Sequence, residues 1–197
     1  MITIAAILLF GGGVPGIIDS GPNGPDDFSF QLGQVQATPI TRTPPPELHD
    51  VAQEAGDGVK ETMDELYFAA FVDQGSWGDY GAAFELFEGS AAARAESDQE
   101  VLTLGATAGD DFESIDAASG TVTISVLTDD QDAPVSAVAD VEFEATVEGA
   151  AGGTSTQVVS IGSYFLRQVD GAWRIFAYDV HRDDVEAEAP SPSGSPS

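Results

Sequence analysis

The sequence predicts an α+β domain in which N-terminal helices pack on a curved, four- to five-stranded antiparallel sheet. Three observations predict it. Apolar residues recur at helical spacing between positions 48 and 71, the period of the pattern falls from about 3.6 to 2 after Gly105, and an Asp170-Gly171 pair joins two long alternating segments near the C-terminus. Helices that precede a run of hairpin-linked strands cover the apolar face of one sheet.

The helical part begins with Val59, Met63, Leu66, Ala70 and Phe71 on one face, set against Lys60, Glu61, Asp64 and Glu65 on the other. Gly56 and Gly58 are expected to break this helix from a preceding turn over residues 46–55, and Gly75 to stop it. Tyr80, Ala83, Phe84 and Phe87 suggest a second helix ended by Gly89, and the alanine-rich residues 90–100 a third.

In the sheet, Val122, Ile124 and Val126 alternate with Thr121, Thr123 and Ser125. The clearest strand sets Val135, Ala137, Ala139, Val141, Phe143, Ala145 and Val147 against polar neighbours such as Asp140, Glu142 and Glu144, one face buried and one wet. Two more strands run over residues 156–169 and 172–181, with Asp170-Gly171 as a two-residue hairpin turn. Loops at 129–134 and 149–153 close the other hairpins, and a short fifth strand is expected near residues 112–116. Strands this long require twist or bending, hence the expected curvature.

A chain of 197 residues suits one such domain plus flanking segments. Residues 1–18 carry a dense apolar run and read as a membrane anchor; a cleaved signal segment and a buried element of the domain are the alternatives. No Lys or Arg precedes Arg42, while Asp19, Asp26 and Asp27 follow the run at once, which suits a non-cytoplasmic flank. Residues 19–47 read as a proline-rich tether, 48–184 as the domain, and 185–197 as a disordered acidic, Pro/Ser-rich tail. The expected location is therefore the cell membrane, single-pass, with the domain on the extracytoplasmic side, or secreted if the segment is cleaved. A formal net charge of −28 repels nucleic acid, and the lack of cysteine excludes disulfides, thiolate metal sites and a cysteine nucleophile.

The last hairpin, Gly162-Ser-Tyr-Phe-Leu-Arg-Gln-Val-Asp-Gly-Ala-Trp-Arg-Ile-Phe-Ala-Tyr-Asp-Val180, following the helices and meander, resembles the nuclear-transport-factor-2-like superfamily, the cystatin-like cone that includes the SnoaL-like proteins. The resemblance covers residues 59–182. The apolar segment, tether and domain also resemble a layout of membrane-tethered bacterial envelope proteins. The resemblance implies a pocket between the helices and the sheet, used in the superfamily by isomerases, dehydratases, cyclases and binding proteins, and it implies a possible homodimer through the sheet face.

Isomerase chemistry needs a carboxylate base and a hydrogen-bond donor for the developing enolate. Tyr67, Asp73, Tyr80, Tyr164, Tyr178 and Asp179 are candidates by type, and none falls on a family motif. His181, at the end of the last strand beside Asp179, Asp183 and Asp184, is a further candidate base or ligand, and His49 lies at the domain's entrance. Two histidines and no cysteine argue against zinc, and the Asp129-Asp130-Gln131-Asp132 turn lacks the spacing of a calcium loop. No cofactor or metal is expected. The preferred reading is a non-catalytic binding or interaction module for a protein or a hydrophobic small molecule. A small isomerase or dehydratase using the cone pocket, and a structural or assembly subunit, are the alternatives. A pocket filled by Phe71, Phe84, Phe87 and Trp173 would leave no room for a substrate.

Overall fold

The computed structural model describes residues 28–39 and 48–186. The expected anchor at 1–18, the remainder of the tether and most of the C-terminal tail lie outside the described residues. Among the described residues no helix is long and apolar enough to cross a membrane.

The domain is α+β with a mixed five-stranded sheet ordered β1-β2-β3-β4-β5 in space as in sequence. The strands are β1 (Gln31–Pro39), β2 (Phe112–Thr128), β3 (Pro134–Gly149), β4 (Thr156–Val169) and β5 (Ala172–Glu186). β2 through β5 form the expected antiparallel meander. The Asp170-Gly171 turn has φ of 52° and 84° at its two central residues, the left-handed pair that a two-residue hairpin requires.

The expectation of an all-antiparallel sheet is corrected at β1. This strand arises from residues assigned to the tether, and it pairs parallel to β2. Parallel neighbours need a crossover, supplied here by the helical residues 48–111. Residues 112–116, expected as a separate fifth strand, are the first residues of the long β2.

The helices are α1 (Leu48–Tyr67), α2 (Gly81–Phe84), α3 (Gly89–Ser97), α4 (Gln99–Leu102) and α5 (Ala108–Asp111). α1 runs straight through Gly56 and Gly58 rather than breaking there, because both glycines serve packing. A Cβ on Gly56 would lie 2.8 Å from Val35 of β1, and one on Gly58 would lie 2.9 Å from the Trp173 ring of β5. The second helix stops at Phe84, ahead of the expected Gly89, and Gly89 instead opens α3 with a φ of 55°. After Tyr67, the backbone widens into a π-helical turn, Phe68–Val72, closed by the Asp73 amide donating to the Phe68 carbonyl at 2.8 Å.

α1 covers one face of the sheet. Its buried Ala55, Val59, Met63, Leu66 and Tyr67 meet inward residues that line up across the strands, such as Ile124, Ala139, Tyr164 and Tyr178 in one row. The free edge of β5 is closed near its start by residues 86–88. Ile175 donates to the Leu86 carbonyl at 3.0 Å and accepts from the Glu88 amide at 2.9 Å. A capped edge offers no ladder for an unwanted strand.

Candidate functional site

The space between α1 and the sheet is where the fold resemblance implies a pocket, and aromatic side chains fill it. Phe28 and Phe30, just ahead of β1, turn inward and meet the Phe143 ring at centroid distances of 5.4 and 6.4 Å. Tyr67 stacks on Phe71 at 5.3 Å and lies 5.0 Å from Phe143. Room for Phe30 exists because β2 carries Gly120 opposite Phe143: a Cβ there would overlap the Phe30 ring. The segment is held from outside by Asp64 of α1, which accepts from the Phe30 amide at 2.8 Å and the Ser29 hydroxyl at 2.9 Å and pairs with Lys60 at 2.6 Å. Of the four residues whose filling of the space would exclude a substrate, Phe71, Phe87 and Trp173 are buried and Phe84 is partly buried. The principal plug is Phe28, Phe30, Tyr67 and Phe143.

The buried hydroxyls satisfy one another. Tyr164, 1% exposed, donates to the Tyr67 oxygen at 3.2 Å, and Tyr67 shares a 3.0 Å hydrogen bond with Ser160. Burial raises the pKa of both phenols above the ordinary tyrosine value, most strongly for Tyr164, where the neighbouring Tyr67 adds to it. Neither phenol is poised to lose a proton near neutral pH.

Tyr178 lies on the same inward face one strand away. Its hydroxyl donates to Asp98 at 2.9 Å at the C-terminal end of α3, and the Arg94 guanidinium sits 4.4 Å from the ring centroid while pairing with Asp98 at 3.0 Å. Burial, then the hydrogen bond and charge of Asp98, push the Tyr178 pKa well up, and Arg94 offsets part of this. This cluster latches α3 to β5.

The remaining candidates point elsewhere. Asp179 and His181 bracket the inward Val180 on β5 and so face the opposite side of the sheet, both exposed. His181 contacts only Asp183, at 3.0 Å, among the polar partners described for it. Asp73 accepts from the Gly75 amide and the Ser76 hydroxyl and caps a turn, Tyr80 donates to the Gly105 carbonyl at 3.0 Å, and His49 is exposed near the start of α1. Burial also raises the Tyr80 pKa. Asp129 Oδ1 is occupied by the Gln131 and Ala133 amides at 2.8 and 2.9 Å, so the acidic hairpin tip is a hydrogen-bonded turn. Among the described residues no three His, Asp or Glu side chains converge on a position for a metal ion. Asp179 therefore lies on the face of the sheet opposite Tyr164 and Tyr178, and Asp73 is spent on its own turn.

Phe28, Phe30, Ser160, Arg94 and Asp98 belong to this packing without standing in any sequence motif. The Phe28-Ser29-Phe30-Gln31-Leu32 alternation was the available signal for the first two. No local signal pairs Arg94 with Tyr178, because 84 residues separate them.

The described basic residues are engaged within the fold, Arg167 from the outer face of β4, where its guanidinium lies 5.6 Å from the Phe176 ring centroid. Of the six Lys and Arg residues, Arg42 lies outside the described residues, and Lys60, Arg94, Arg167, Arg174 and Arg182 all hold partners. Arg167 pairs with Glu88, Arg174 donates to the Glu85 carbonyl at 2.9 Å, and Arg182 donates to the Thr103 and Glu100 carbonyls and pairs with Asp184. The outer face of the sheet keeps Asp140, Glu142, Glu144, Asp179 and Asp183. A shallow depression of about 390 Å3 lies on that face around Ile161, bordered by Thr121, Thr123, Asp140, Glu142 and Ser163.

No family model, curated protein or solved structure matches the chain.

Proposed function

We propose that the chain is a non-catalytic, extracytoplasmic interaction module, tethered to a membrane through residues 1–18, with a cone-like domain of the nuclear-transport-factor-2-like kind as its binding body. The observation that carries the non-catalytic part is the aromatic plug of Phe28, Phe30, Tyr67 and Phe143 in the place of the expected pocket. An isomerase or dehydratase needs a carboxylate and a proton donor aimed at one substrate-sized space. Here the phenols are spent on each other, on Ser160 and on Asp98, while Asp179 and His181 stand on the far side of the sheet. A binding role through the surface needs none of that geometry.

The membrane part of the reading rests on the apolar run at 1–18 and the acidic flank that follows it. It is tested by protease treatment of intact native cells: the membrane-bound chain loses its domain without lysis. Protection until lysis overturns the assignment. The interaction part is tested with a photo-cross-linker placed in the full chain at Glu61 of α1 or at Ile161 of β4. Discrete adducts from at least one position are expected, and a bare monomer from both overturns the reading.

A further inference from the structure

We propose that the outer face of the sheet is a docking trough for a basic amphipathic helix of another protein. The inference rests on the interaction-module reading and assigns that module its surface and the chemistry of its partner.

The trough follows from strand register. β4 presents Val159, Ile161 and Phe165 outward as an apolar spine, with Ile161 51% exposed. On one side β3 sets Glu144 opposite Val159 and Glu142 opposite Ile161; on the other, β5 sets Asp183 and His181 opposite the same two residues. One step further along, Ser163 stands between Asp140 and Asp179 and donates to Asp140 at 2.5 Å. Carboxylates thus stand on both sides of the spine at Val159 and Ser163, Glu142 and His181 flank it at Ile161, and Val138 and Ala177 flank it at Phe165.

The dimensions suit a helix. Rails on β3 and β5 are two strand spacings apart, about 9.5 Å, close to the about 10 Å diameter of an α-helix with its side chains. From Val159 to Phe165 the spine runs about 20 Å at about 3.3 Å per residue, which accommodates about 13 residues of helix at 1.5 Å rise. The depression around Ile161 lies midway. Gly162 keeps β4 close to β5 there, since a side chain would overlap the Asp179 carbonyl.

Charge selects the occupant. Anionic headgroups and nucleic acid are repelled by these rails. A second copy would bring the same carboxylates face to face, and the five described cations of this chain are already engaged within the fold. Like-charge crowding extends beyond the trough: Asp116 of β2 has its pKa raised, first by burial and then by the charge and hydrogen bond of Glu148. A helix with Leu-type residues on one stripe and Lys or Arg flanking it matches both spine and rails.

The test uses the full chain and two synthetic 14-residue peptides of identical Leu/Lys composition, one patterned as an amphipathic helix and one scrambled. By calorimetry at physiological salt, the patterned peptide is expected to bind at least about tenfold more tightly than the scrambled one. Ile161→Ser, and separately Glu142→Gln with Glu144→Gln, each weaken it about tenfold, whereas the equal charge change Glu54→Gln with Glu96→Gln on α1 and α3 does not. All substituted positions are exposed, so the circular dichroism and thermal midpoint of each variant stay those of the parent. Equal binding of both peptides, or equal loss from both charge pairs, overturns the proposal in favour of diffuse attraction. Self-association that Ile161→Ser abolishes overturns it in favour of a second copy. In cells, cross-links from Glu61 without any from Ile161 overturn the trough and leave the module reading standing.

Discussion

Successive residues of β3 belong to two different chemical worlds. Ala139, Val141, Phe143, Ala145 and Val147 are buried beneath α1, while Asp140, Glu142 and Glu144, interleaved with them, stand in solvent. On the inner face the polar atoms of Tyr67, Tyr164 and Ser160 find one another within a layer of interlocked rings. On the outer face, apolar Ile161 sits among carboxylates. The contrast teaches that the inner face is committed to holding the fold together, and that surface free to bind lies on the other side of the same strands.

Alkaline pH breaks the inner face most completely. All four tyrosines of the chain have pKa values raised above 10.0 by burial. A raised folded-state pKa contributes stability that is fully present below pH 10 and is lost as the pH rises through the folded-state values. Phenolate absorbance should therefore lag behind that of free tyrosine above pH 10 and then appear together with the loss of circular dichroism, in one unfolding step. Ordinary titration of all four in a folded protein would refute the plug.

Truncating Phe30 probes the same layer at neutral pH. Phe30→Ala should cost about 3–5 kcal/mol in urea unfolding, as for other buried phenylalanines, although the residue precedes the first strand. A change near zero would return residues 28–30 to the status of a tether. Gly120→Ala attacks the complementary wall. Its Cβ would meet the Phe30 ring, and overpacking of this kind costs about 1–3 kcal/mol, read as a lower thermal midpoint. Tyr164→Phe keeps the ring and removes one donor to Tyr67, for a loss of about 1 kcal/mol.

On the outer face the expected stability effect is smallest. Ile161→Ser should stay within about 0.5 kcal/mol of the parent, because the side chain is half exposed and its loss opens no cavity. A cost comparable to that of Phe30→Ala would mean that this face, too, is structural.

Much of the scaffold was legible from pattern. Period-2 alternation from Ala137 to Val147 and the Asp170-Gly171 turn placed the meander, and the stripe Val59, Met63, Leu66 placed α1; Val135, read as inward, is 41% exposed beside a register shift at the start of β3. β1 was hidden by its own irregularity. Leu32 and Val35 are three residues apart, and the register shift between them in the pairing with β2 breaks the alternation that would have announced a strand. The proline-rich surroundings of this stretch hid it further. Gly56 and Gly58 misled for a related reason. Glycine weakens a helix locally, but here close approaches to Val35 and Trp173 offset that cost, and both partners are distant in sequence.

The sequence by itself determined the two-faced sheet, the turn chemistry, the acidic surface and the absence of thiol chemistry, since each follows from local periodicity or from composition. Only the tertiary structure decided whether the space beneath the helices is a pocket. That depended on Phe30 entering opposite Gly120 and Phe143, a meeting of residues far apart along the chain. No local period encodes such a meeting, because complementarity between a ring and a missing side chain exists only once both are folded onto the same face.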